Sequence, residues 1–312
     1  MMNEPALHGM AQTKKDRSAP VLRPGNTNCG GCGMSNLLQM LSRAAENNDI
    51  KIVIPACCAA ITTGMFPESS ISVPTILTTF AAGASVATGV ASVAQLNNEE
   101  TRVICLAGDG GTYDIGMGTL SAAAERNEDI LYICYDNEIY GNTGGQRSSA
   151  TPTGASTTTT LGGKSEVKKD IMGIMAAHHI PYAASISLAH ADDTLRKLRF
   201  ALNVKGFRFL HVLSPCPTGW KSEPAVSIEL VRLAVRSGLF PVFEVFDGDH
   251  YTINIEPDFS SEALLMYLSL QRRFRKSGVT EEAIRPNIER YWHQLRAMSG
   301  RIMPAIRDIK TG

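Results

Sequence analysis

Two oxygen-bearing markers stand at the ends of two apolar runs. Val103-Ile104-Cys105-Leu106-Ala107 leads into Gly108-Asp109-Gly110-Gly111, and Ile130-Leu131-Tyr132-Ile133-Cys134-Tyr135 leads into Asp136-Asn137. Runs of this kind read as buried strands, with a helical stretch from Ile115 to Arg126 between them. A hard cation such as Mg²⁺ takes oxygen ligands, commonly one or two side chains together with substrate phosphates. Parallel strands bring their carboxyl ends to one crevice, where open α/β sheets bind ligands. Asp109, Asn137 and a nearby carbonyl are therefore placed to hold a metal against a diphosphate. The glycines let the backbone approach the phosphate, and the following helix N-terminus favours its negative charge.

A second set of candidates is the cysteines, of which the chain has seven. Cys105 and Cys134 fall inside the strand runs and read as inert core thiols. Cys29-Gly30-Gly31-Cys32 is a Cys-x-x-Cys pair in a glycine-rich loop. It suits half of a zinc site, a redox dithiol or two ligands of an iron–sulfur cluster. Further ligands must come from afar. Cys58 and Cys216 each follow a strand end, on the sheet edge expected to carry Asp109 and Asn137, and Cys57 competes with Cys58.

The elements needed to position these residues are legible. A helix is expected from Ser35, a strand over 51–55, a buried small-residue helix over 81–96, and helix, strand and helix over 165–178, 182–187 and 190–203. A strand over 207–213 precedes Ser214-Pro215-Cys216-Pro217. This alternation predicts an α/β fold, a mostly parallel sheet with helices on both faces. Residues 1–25 read as an irregular arm, 26–220 as the cofactor-binding domain, and 221–312 as a C-terminal extension. That extension holds a hairpin around Asp247-Gly248 and two helical stretches. The polar segment 140–164 is long for a passive connection and reads as an active-site or partner-contact loop.

Composition narrows the function classes. The chain has 312 residues, 44% hydrophobic, and its 30 basic and 30 acidic residues cancel. Nothing in that balance favours nucleic acid or an anionic membrane, and no run approaches the length of a membrane span, so a cytoplasmic enzyme is expected. Gly163-Lys164-Ser165 lacks the first glycine of a P-loop, Tyr113 stands where a dinucleotide fingerprint needs its third glycine, and no nucleophile elbow occurs. His178-His179 has no metal-type spacing, and Arg147, near Asn142, is a candidate carboxylate contact.

The stretches Gly108 to Gly116, Tyr135 to Glu138 and Tyr140-Gly141-Asn142-Thr143-Gly144-Gly145-Gln146 resemble the thiamine diphosphate-binding β subunit of 2-oxoacid:ferredoxin oxidoreductases. Ala150 to Ala155, Cys29-x-x-Cys32 and Ser214-Pro215-Cys216-Pro217 continue the likeness over roughly residues 25–220. The resemblance implies thiamine diphosphate bound at Gly108, Asp109, Gly110, Gly111 and Thr143. It also implies Mg²⁺ held by Asp109, Asn137 and the Ile139 backbone, and Asn142 beside the thiazolium and substrate as the catalytic residue. It implies a [4Fe–4S] cluster on Cys29, Cys32, Cys58 and Cys216. Cys57 departs from the family's glycine, and Gly145 from an isoleucine frequent in separate-subunit pyruvate enzymes.

The implied reaction is oxidative decarboxylation of a small 2-oxoacid, with electrons passed singly to the cluster and then to ferredoxin. The small Ala59-Ala60 pair and the departures from the pyruvate form, taken with the overall resemblance, lean the substrate toward oxalate. Pyruvate, with coenzyme A as acceptor, is the alternative, and a zinc-stabilised scaffold subunit is the non-enzyme alternative. Only the diphosphate-binding half of a thiamine site is recognisable, so the resemblance implies an α-type subunit and γ/δ-type ferredoxin-like subunits as partners.

Overall fold

The computed structural model describes residues 20–45, 48–64 and 67–300. Helix α1 (Gly33–Ala44) buries Leu37, Leu38 and Leu41 at helical spacing and leads to β1 (Asp49–Pro55). A short α2 (Cys58–Thr62), edge strand β2 (Thr75–Thr78) and α3 (Gly83–Leu96) follow. Strand β3 (Thr101–Gly108) ends in a wide helical turn (Gly110–Asp114), then α4 (Met117–Glu125) and β4 (Ile130–Asp136). After the long loop come α5 (Ile171–Ala176), β5 (Tyr182–Ser187), α6 (Ala191–Asn203), β6 (Arg208–Leu213) and α7 (Pro217–Trp220). Helix α8 (Ser227–Arg236), the hairpin β7 (Val242–Phe246) and β8 (His250–Ile255), α9 (Ser261–Ser269) and α10 (Glu281–Ser299) complete the described residues.

The eight strands of the described residues form one sheet in the order β2-β1-β3-β4-β6-β5-β7-β8. The first six are mutually parallel, and β7 runs antiparallel to both its neighbours, β5 and β8. The inner strands β3, β4, β5 and β6 are buried on both faces, which is why they read as largely apolar runs rather than alternating ones. Two hydrophobic clusters cover the faces, one including Trp220 and Trp292, the other including Leu37, Leu38 and Tyr135. Because β1, β3, β4 and β6 are adjacent and parallel, their carboxyl ends share one edge. That edge carries Cys57, Cys58, Asp109, Asn137 and Cys216 in neighbouring positions.

Several expectations need correction. Helix α1 begins at Gly33, with Cys32 rather than Ser35 at the cap, and the Ser35 hydroxyl accepts a bond from Asn28 Nδ2 at 2.8 Å. Residues 165–170 are not helical; α5 starts at Ile171, where the Asp170 carboxylate caps it by accepting from the Gly173 amide. Helix α3 is only half buried, since Val93 is 57% and Leu96 82% exposed. Small residues allow close packing but do not impose it. The expected arm contributes to the core from Val21 and Leu22, and Leu22 bridges to Ile71; residues 1–19 lie outside the described residues. The β7–β8 hairpin forms where expected, and α8 and β2 are elements the sequence reading did not single out. No helix among the described residues is long and apolar enough to cross a membrane.

Candidate cofactor site

Asp109 follows β3 directly and is 1% exposed. It accepts a hydrogen bond from the Ser148 hydroxyl. The Asn137 side-chain amide lies 2.9 Å from its Oδ1 and 2.8 Å from the Ile139 carbonyl oxygen. With the amide oxygen turned inward, three oxygens from Asp109, Asn137 and Ile139 face one another with no donor between them. Adjacent oxygens around an octahedral Mg²⁺ at about 2.1 Å lie about 3 Å apart, so the spacing fits that ion. Turned the other way, the amide nitrogen bridges the two oxygens, which is how such a cradle satisfies itself without a cation. Burial, and then the nearby Asp136 carboxylate, push the Asp109 carboxyl well above the usual range. Both costs fall when a dication arrives.

The turn carrying Asn137 and Ile139 is held from every side. Asp136 is fully buried and accepts bonds from Lys168 Nζ at 2.6 Å and Tyr113 Oη at 3.0 Å, with His211 Nε2 at 2.8 Å. Burial opposes its ionisation, yet Lys168 and His211 hold it below the usual carboxylate range. Its other oxygen accepts the Glu138 amide at 3.0 Å, and Thr151 Oγ1 donates to the Glu138 carbonyl at 2.8 Å. Glu138 sits at φ +65°, a left-handed conformation that non-glycine residues seldom adopt. Gly110 is required on the opposite wall, because a Cβ there would lie 2.3 Å from the Tyr140 ring.

The other end of the site is open. Asn142, Thr143 and Gly144 are exposed, and the Thr143 hydroxyl donates within its own loop, to Gln146 at 2.5 Å. Cys58 Sγ lies 3.2 Å from Asn142 Oδ1, so the candidate catalytic amide touches the cysteine set. Cys58 feels burial first and then charge at Cys216, Cys57, Cys32 and Cys29, which together push its thiol up to about 12. Cys216 is raised likewise by burial, Cys32 and Cys29, while the Gly219 amide donates to its sulfur at 3.3 Å. Thr218 Oγ1 is 3.7 Å from Cys29 Sγ. Cys57 differs: its thiol donates to the Pro55 carbonyl at 2.8 Å, and it packs near Gly108. Cys58 thus turns its sulfur to Asn142, and Cys57 turns its own to Pro55. No group of three His, Cys, Asp or Glu side chains among the described residues is spaced for a single metal ion.

Other sequence candidates resolve into structural roles. Arg147 pairs with Glu166 at 3.4 Å, and His178 meets Ser121 at 3.1 Å. Ala59 and Ala60 are 0% and 8% exposed and belong to the core under α2, where the Ala59 amide donates to Tyr135 Oη. The sequence reading missed Ser148, Lys168, Trp220 and Arg273, which reach the site from distant segments. Only Asp136, beside Asn137, and Tyr113, filling a glycine position, carried a local signal.

Residues 56–212 match the family described as thiamine pyrophosphate enzyme, C-terminal TPP binding domain. A pyruvate synthase subunit PorB from Methanocaldococcus jannaschii is 41% identical over 281 residues, covering 86% of this chain and 92% of the relative. The chain belongs to this family. A ketoisovalerate oxidoreductase subunit VorB from Pyrococcus horikoshii is a further relative, 39% identical over 288 residues, covering 88% of this chain and 92% of its own. The fold also matches a 2-oxoglutarate:ferredoxin oxidoreductase from Magnetococcus marinus, with a TM-score of 0.57 at 22% identity over 72% of this chain and 82% of that one. The sheet edge bearing Asp109 and Asn137 therefore lies inside the segment that defines this thiamine pyrophosphate family.

Proposed function

We propose that this family member is the β subunit of a thiamine diphosphate-dependent 2-oxoacid:ferredoxin oxidoreductase. The observation that carries the reading is the convergence of the Asp109, Asn137 and Ile139 oxygens at 2.8–2.9 Å spacing on the strand-end edge. In it, Mg²⁺ sits on those three ligands, and Gly108, Gly110 and Gly111 admit the diphosphate. Thiamine diphosphate supplies an electron sink for cleaving the carboxyl group from a 2-oxoacid. Asn142 and Thr143 orient the reacting end, and Cys29, Cys32, Cys58 and Cys216 hold a [4Fe–4S] cluster that accepts electrons one at a time. The 3.2 Å contact of Cys58 with Asn142 supports placing that cluster beside the reaction.

The substrate reading shifts toward pyruvate, with coenzyme A as acceptor. A second carboxylate, as in oxalate, calls for a cationic or donor-rich pocket. Arg147, the cation nearest Asn142 in sequence, is already paired, and the Ala59–Ala60 pair is sealed in the core. Relatives named for pyruvate and ketoisovalerate support a monocarboxylic 2-oxoacid. The exposed loop at Asn142–Gly144, and exposed Ile115, support an α-type partner covering the reactive end. Subunits of γ/δ type and ferredoxin complete the electron path.

Assays of the purified complex with a low-potential acceptor test the reading. Turnover of pyruvate that requires coenzyme A is expected, and faster turnover of oxalate without it would restore the oxalate reading. Cys29→Ser or Cys216→Ser should abolish ferredoxin-linked turnover and lower iron content while leaving thiamine diphosphate binding intact. Full activity in either variant would remove the cluster from the assignment.

A further inference from the structure

We propose that Arg273, far along the chain between α9 and α10, is a positioning residue for the cation site. This rests on the Mg²⁺ reading above and extends it to residues outside the defining family segment, which ends at residue 212. Arg273 is 2% exposed, and its guanidinium donates to Glu138 Oε2 at 2.6 Å. The second Glu138 oxygen accepts from Lys168 at 3.0 Å. Glu138 lies between Asn137 and Ile139, so its anchoring sets the direction of both oxygens that face Asp109. Its left-handed backbone needs such anchoring, since a non-glycine residue keeps that conformation only when its surroundings impose it.

The same guanidinium lies 4.3 Å from the centroid of the Trp220 ring. Trp220 Nε1 donates to the Asn137 carbonyl at 2.8 Å. Arg273 therefore grips the turn twice, once through the Glu138 carboxylate and once through the indole. Trp220 also closes α7, the short helix that Cys216 caps. Gly219, in that helix, approaches Ile139 so closely that a Cβ would lie 2.7 Å from Ile139 Cγ2. The cation turn and the Cys216 turn thus share one clamp, and Arg273 tightens both. Lysine cannot reproduce it, because a point charge has neither the flat stacking face nor the fork.

The test uses the assembled complex and Mn²⁺ in place of Mg²⁺, with affinity read from the loss of free-ion resonance signal in the presence of thiamine diphosphate. Arg273→Met should weaken Mn²⁺ binding by roughly 10–100-fold, the range seen when groups behind metal ligands are removed. Arg273→Lys should recover part of that loss, and Trp220→Phe, which removes the indole donor and keeps a smaller aromatic face, should show a smaller one. Arg285→Gln is the control, since it breaks the Arg285–Glu281 pair in the same C-terminal region without touching the turn. It should lower thermal stability and leave Mn²⁺ affinity unchanged. If Arg273→Met fails to fold, Arg273→Lys and Trp220→Phe carry the comparison. Wild-type affinity in the Arg273 variants, or an equal loss in Arg285→Gln, overturns the proposal. Absence of Mn²⁺ binding in the wild-type complex would instead overturn the cofactor reading, and this proposal with it.

Discussion

Two buried carboxylates in one sheet meet opposite fates. Glu244, on β7, is 2% exposed and receives Arg196 at 2.6 and 3.0 Å, Tyr182 at 2.6 Å and Asn254 at 2.6 Å. Burial opposes its charge, but those donors bring it below the usual glutamate range. Asp109, equally buried, has one hydroxyl donor and faces two further oxygens, and its carboxyl is pushed upward. The protein completes the first site from its own side chains and leaves the second short of positive charge. A buried carboxylate without a cation is costly, so the shortfall at Asp109 marks a place for an external one.

The largest effect that would break this contrast is at Asp109. Asp109→Ala should weaken Mg²⁺-dependent thiamine diphosphate binding by about 100-fold or more, beyond the range for residues behind a metal ligand, as read by calorimetric titration. Next, Mg²⁺ at about a hundredfold over its dissociation constant should add about 2.7 kcal/mol of stability to the wild type. Asp109→Asn should gain none of this, and without metal it should be at least as stable as the wild type, because a disfavoured buried charge is gone. Chemical denaturation with and without Mg²⁺ reads both.

Glu244 should behave the other way. Glu244→Gln should cost about 1–3 kcal/mol and leave the Mg²⁺ response intact. Since the folded carboxyl titrates below its unfolded value of about 4.3, its contribution is complete above that pH. It is lost as pH falls through the folded value. The stability gap between wild type and Glu244→Gln should therefore be full at pH 6 and narrow below about pH 4. The smallest effect is at the open end. Thr143→Ala should change stability by no more than about 0.5 kcal/mol, although turnover of the assembled enzyme should fall.

Much of this contrast could be read from the chain itself, for a definite reason. Asp109 and Asn137 directly follow strands β3 and β4, and an apolar run followed by a polar residue survives as a linear pattern. The cysteines were legible in part: Cys58 and Cys216 follow strand ends, but only the folded chain turns the Cys57 thiol toward Pro55. The partners of Glu244 and Glu138 were invisible. Arg196 is 48 residues from Glu244, and Arg273 is 135 from Glu138, with no spacing rule to join them. Helix α3 misled in the opposite sense. Its alanines, glycines and valines read as buried, yet part of its surface faces outward, and hydrophobicity alone does not distinguish a core from a face awaiting a partner.

The central claim is that the Asp109, Asn137 and Ile139 oxygens hold the cation that binds the cofactor's diphosphate. Anomalous diffraction from crystals of the complex grown with Mn²⁺ and thiamine diphosphate tests it most directly. A single manganese peak per chain is predicted within bonding distance of Asp109 Oδ1, Asn137 Oδ1 and the Ile139 carbonyl, and absent in Asp109→Ala. Ordered cofactor with no peak there, or a peak bound by other residues, would contradict it.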